Sequence, residues 1–86
     1  MPDESRGVEQ IVIETLEALS GMERKQIHGS DELLHDLHIT GDDLSFVFVP
    51  EVERALGVKT DPSVWNNVST VRDAIDVFAS TLRSGG

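Results

Sequence analysis

The chain has no cysteine. That absence removes disulfides, thiol nucleophiles and thiolate metal ligands, so the core must hold by packing alone. Positive charge is scarce as well: seven Lys and Arg stand against sixteen Asp and Glu, a formal charge of -9. A field of that sign repels a phosphate backbone, so nucleic acid is not an expected partner. It favours proteins with basic surfaces, or else serves solubility alone. Long apolar runs are also missing. The longest, residues 46–50, falls far below the roughly 20 residues that span a bilayer. Residues 1–7 lack the basic start and apolar stretch of a signal peptide, so the expectation is a cytoplasmic protein with no membrane contact. Neither an internal repeat nor a low-complexity stretch interrupts the chain.

What is present is one domain's worth of periodic sequence. With 86 residues there is material for a single modest core. A flexible N-terminus is expected over residues 1–7, a helical domain over 8–83 and a disordered tail over 84–86. Val8, Ile11, Val12, Thr15, Leu16 and Leu19 follow the i, i+3, i+4 spacing of an amphipathic helix, which Gly21 stops. The connection from Gly21 to Gly41 is too long to be structureless in a compact domain, so Ile27, Leu33, Leu34, Leu37 and Ile39 should pin it to the core. Ser30 can cap one short helical turn within it.

A second helix should open at Thr40-Gly41-Asp42-Asp43-Leu44, where acidic side chains complement free backbone N–H groups, and close at Leu56-Gly57. Asp61-Pro62-Ser63-Val64-Trp65 reads as a brief third helix with Pro62 at its first position and Trp65 as its anchor. The last helix is expected to begin at Ser69 or Thr70, with Asp73 bonding back to the cap. Val71, Ala74, Ile75, Phe78 and Leu82 then share one face.

The second helix carries the main anomaly. At about 100 degrees per residue, Leu44, Phe48, Val49, Val52, Ala55 and Leu56 share a core face, whereas Phe46, Val47 and Pro50 lie opposite, beside Glu53 and Arg54. An apolar strip rimmed by charge is the usual signature of a partner site. On this reading Asp42, Asp43 and Glu53 attract a basic partner, and Phe46, Val47 and Pro50 supply the desolvated contact. The competing reading has Pro50 break the helix and rotate Phe46 inward.

Chemistry-bearing clusters are thin. His35 and His38 lie near Asp36, Asp42 and Asp43, but His-x-x-His without a third fixed ligand reads as solvated loop histidines, so no metal site is expected. Ser, His and Asp crowd one loop with no glycine-flanked nucleophile or oxyanion-hole motif, and the adjacent carboxylates of Asp42 and Asp43 are not separated in environment. No enzyme activity is expected.

The order of helices, the stretch Val68-Ser69-Thr70-Val71-Arg72-Asp73-Ala74-Ile75-Asp76-Val77-Phe78, the turn Leu56-Gly57-Val58 and the pair Asp36-Leu37 together resemble the acyl carrier proteins. The resemblance spans nearly the whole chain. It implies an all-α, acyl-carrier-like four-helix bundle with three longer helices, one short helix and a long loop between the first two. Carriers present Asp-Ser-Leu at the start of the second helix, and that serine bears phosphopantetheine. Here the matched position falls on Gly41, Asp42 or Asp43, depending on register, and none offers a hydroxyl. Gly-Asp-Asp at this place is similar to a bacterial family of acyl-carrier-like domains of unassigned function.

The resemblance therefore implies a monomeric, non-catalytic interaction module without a cofactor. Its partner would be a protein with a basic surface, with lipid or polyketide biosynthesis enzymes as candidates. The alternative is a functional carrier with 4′-phosphopantetheine on Ser45, two or three positions and so roughly 200 to 300 degrees around the helix from Asp43 or Asp42. The plainer reading of Ser45 is a first-turn residue bonding to local backbone.

Overall fold

The structure is a computed structural model that describes residues 4–83. The first three residues and the expected tail over 84–86 lie outside the described residues. The first helix runs Glu4–Ser20 and so takes in residues 4–7 of the expected N-terminal segment. Gly7, inside this helix, costs only about 1 kcal/mol in helix propensity. Val8, Val12 and Leu16 are fully buried on one face, with Ile11, Ile13 and Leu19 half-buried beside them. Gly21 ends the helix in the left-handed region at φ +77°, which a Cβ would oppose, and its N–H donates to the Glu17 carbonyl at 2.9 Å.

The connection that follows is ordered by its own side chains. A 3₁₀ turn at Arg24–Gln26 is closed where the Glu23 N–H donates to Gln26 Oε1 at 3.0 Å. Ser30 does not cap a helical turn. Instead the Asp31 carboxylate accepts the His28 N–H at 2.9 Å, and the Asp36 carboxylate accepts the Glu32 N–H at 2.8 Å. This turn sends Leu33 and Leu37 inward with Ile27 and Ile39, but Leu34 outward at 56% exposure, contrary to its expected role as a pin. His38 takes φ +58°, doubling the chain back so that the Ile39 N–H reaches the Leu33 carbonyl at 3.0 Å.

The same connection is stitched to the start of the last helix, Val71–Arg83. Leu33 N–H donates to Ser69 O, Val71 N–H to Asp31 O and Arg72 N–H to Gly29 O, each at 2.9 Å. Two of the donors that any helix start leaves unpaired are thereby satisfied by loop carbonyls. Thr70 and Asp73 complete the cap: Asp73 N–H donates to Thr70 Oγ1 at 3.2 Å, and the Asp73 carboxylate accepts the Ser69 and Thr70 N–H groups, both at 3.2 Å. This is the reciprocal arrangement expected from the sequence. Val71, Ala74, Phe78 and Ala79 are buried, while Ile75 and Leu82 are half-buried.

The Ser69 N–H, and after it the Thr70 N–H, hold the Asp73 carboxyl below the usual carboxylate range. A depressed folded-state value contributes stability that is present above the unfolded carboxylate's range and is lost as pH falls through the folded value. Asp73→Asn should therefore destabilise by about 1 kcal/mol at neutral pH, as loss of a helix cap does. The gap to the unaltered protein should close as pH drops below the ordinary carboxylate range. Urea unfolding across that pH series checks it, and a gap independent of pH would count against the cap.

Between these helices lie the second helix, residues 41–56, and a 3₁₀ helix, Pro62–Asn67. The latter opens as expected, with Asp61 Oδ1 accepting from Ser63 N–H at 3.0 Å and Pro62 at the first position. The architecture is all-α: among the described residues the only strand-like pairing is an isolated bridge between Glu32 and Thr70. No helix there is long and apolar enough to cross a membrane. Phe48 and Phe78, buried in the core, meet the half-buried Trp65 at its edge, with ring centroids 5.2–6.2 Å apart.

Candidate functional site

The second helix begins where Thr40 Oγ1 accepts the Asp43 N–H at 3.0 Å. Thr40 is therefore the cap. Asp42 and Asp43, expected as caps, instead expose their side chains in the first turn at the positive end of the helix dipole.

Residues Leu44–Phe48 then wind as a π-helix, with the Val49 N–H donating five residues back to the Leu44 carbonyl, before Val49–Leu56 continues as α-helix. The cause is Pro50. It has no N–H to donate, and its ring would press on the Phe46 carbonyl in an uninterrupted α-helix. Widening the preceding turn relieves that conflict and leaves Pro50 in the first turn of the α-helical segment, where a donor is not needed. The helix is neither broken nor rotated inward: Phe46 is 75% exposed and Val47 38%.

A π-turn takes more residues per revolution than an α-turn, so everything after it is set back around the axis. Leu44, Phe48, Val49 and Val52 are buried and Leu56 half-buried. Ala55, expected in the core, is exposed. Gly57, at φ +70°, closes the helix, and the Val58 N–H donates to Glu53 O at 3.0 Å.

The expected apolar strip divides into a crest and two flanks. Phe46 is the crest. Val47 lies on the side of the first helix and lines a groove of about 380 Å³ with Glu14, Thr15, Ala18, Leu19 and Glu51. Pro50 is half-buried on the other side, where it lines a cavity of about 360 Å³ with Ser45, Val49, Lys59, Pro62 and Trp65. Pro50 is thus part of a cavity wall rather than of one continuous outward strip.

Glu53 is not a free charge either. Its carboxylate accepts from both Thr60 N–H and Thr60 Oγ1 at 2.7 Å, and Thr60 Oγ1 in turn accepts from Trp65 Nε1 at 2.9 Å. This relay ties the 3₁₀ helix to the second helix. No sequence pattern announces it, because the partners are joined across an irregular turn without periodicity. The two flanking hollows were equally invisible, since one forms between helices some thirty residues apart and the other across the irregular turn after Gly57.

Ser45 is exposed at the rim of the 360 Å³ cavity. Its hydroxyl makes none of the described hydrogen bonds, so the expected local backbone bond is not formed. His35 and His38 are exposed, and among the described residues no three His, Asp or Glu side chains gather as a metal site. The Asp61 and Asp73 carboxyls are held below the usual range, both by N–H groups at helix starts, those of Ser63 and Ser69 first. Neither reads as a group tuned for acid–base chemistry. Comparison with known proteins returns no matching family and no matching curated relative.

Proposed function

We propose that the chain is a non-catalytic, acyl-carrier-like interaction module, monomeric and cytoplasmic, that presents its second helix to a protein with a basic surface. The observation that carries this reading is Phe46, a large aromatic side chain left 75% exposed on a helix whose other face lines the core. An exposed aromatic near unpaired carboxylates is the composition of a desolvated anchor with a charged rim. Asp42 and Asp43, exposed one turn before it, are suited to draw in Lys and Arg. The resemblance to acyl carriers supports the same helix and suggests a lipid or polyketide biosynthesis enzyme as the partner class.

Phe46→Ser tests the reading. The variant should keep its stability to within about 0.5 kcal/mol, as exposed substitutions do. It should also lose the proteins that the unaltered chain retains from a host lysate. Unfolding of the variant, or unchanged retention, would count against the module.

A second reading rests on Ser45, the hydroxyl exposed beside the apolar cavity. It fits the role of attachment point for 4′-phosphopantetheine, which when bound supplies a thiol for acyl groups. Incubation with coenzyme A and a broad-specificity phosphopantetheinyl transferase, followed by intact mass, separates the two readings. Gain of one phosphopantetheinyl group, absent in Ser45→Ala, would establish the carrier instead.

A further inference from the structure

Resting on the module reading, we infer that the groove between the first and second helices seats a basic amphipathic helix of the partner, its apolar face on Ala18, Leu19 and Val47. The groove measures about 380 Å³ and is walled by Glu14 and Glu51. That volume lies toward the lower end of ligand-sized hollows and has room for a few aliphatic side chains.

The floor asks for apolar contact. Thr15, its one hydroxyl, already donates to the Ile11 carbonyl at 2.9 Å, so the floor directs no free side-chain donor at an occupant. The rim asks for cations. Glu14 stands on one wall and Glu51 on the other, one turn beyond Val47. Arg54 is the cation beside that wall, and its pair with Glu51 at 2.9 Å is exposed at both ends. Exposed i, i+3 pairs are weak and exchange readily for an incoming Lys or Arg.

Both walls are helical and among the described residues no sheet edge is available to extend, so the occupant docks as a helix in a groove rather than as an added strand. A second copy of this chain is disfavoured by the charge of -9 that each copy carries. Ala18 is what keeps the groove open, because a larger side chain there would fill it.

The test uses a synthetic helical peptide of leucine and lysine, with a leucine–glutamate peptide of equal length as control, titrated into the ¹⁵N-labelled protein. The basic peptide should shift the amide resonances of Ala18, Leu19, Val47 and Glu51. Ala18→Leu, at an exposed position, should weaken binding by about tenfold or more, the loss of roughly one apolar anchor. Should Ala18→Leu disturb the fold, Ala18→Lys, which places a cation at the groove mouth, should lose the peptide likewise. Resonance shifts elsewhere on the acidic surface, equal binding by the variant that folds, or equal binding of the acidic peptide would each overturn the inference. In the lysate experiment, loss of retention by Phe46→Ser but not by Ala18→Leu would sink the groove and leave the module standing, whereas unchanged retention by both would sink the module itself.

Discussion

Phe48→Ala should destabilise the domain by about 3–5 kcal/mol, the usual cost of truncating a fully buried aromatic. Phe48 has no exposed surface and meets two further rings edge-on, Trp65 at 6.1 Å and Phe78 at 6.2 Å. Its removal therefore forfeits apolar burial, leaves a hole in a close-packed core and deletes two aromatic contacts. Domains of this size have total stabilities of about 5–15 kcal/mol, so the variant should lose from a fifth of its stability to nearly all of it. Urea unfolding read by Trp65 emission and by circular dichroism measures it. The informative comparison is Phe46, two residues earlier, where the same residue type contributes almost nothing to stability. If Phe48→Ala and Phe46→Ser cost the same, the orientation of the second helix is wrong, and the exposed crest with it.

Thr60→Val should cost about 1–3 kcal/mol, the range for leaving a half-buried polar group unpaired. The substitution keeps shape but removes one hydroxyl that both donates to Glu53 and accepts from the Trp65 indole N–H. The backbone bond from Thr60 to Glu53, at 2.7 Å, survives. Loosening should therefore concentrate at the indole, and Trp65 emission should move to longer wavelength before global unfolding begins. Glu53→Gln, which retains an acceptor, should be milder. A double-mutant cycle between the two positions should show clear coupling; strict additivity would mean that the three groups do not act as a unit.

The helices were legible wherever local chemistry decides. The last helix announces itself through Thr70, Asp73 and its apolar spacing, and Gly21 and Gly57 mark ends that the backbone fulfils with positive φ. Legibility failed where one residue changes the frame for those after it. Reading the second helix at a constant 100 degrees per residue puts Ala55 in the core. The π-turn forced by Pro50 puts it in solvent. It failed again in the long connection, where four of the five expected pins are buried but Leu34 is not, because a turn closed by Asp36 rather than a helix capped by Ser30 sets which side chains face in.

For the candidate surface, the exposure of Phe46 and Val47 followed from position on the helix. The roles of Glu53 and Pro50 did not. Both are drawn toward Trp65 and the segment after Gly57, and nothing in a helical wheel contains those partners. Composition spoke to the sign of the chain's own charge, while only the packed arrangement divides the surface into a crest with a hollow on either side.

The stretch joining the first two helices is not spare length. Its carbonyls at Gly29 and Asp31 serve as the lid on a helix that starts some forty residues further along. Shortening or loosening it would uncap that distant terminus, so this seemingly irregular segment and the final helix must melt together.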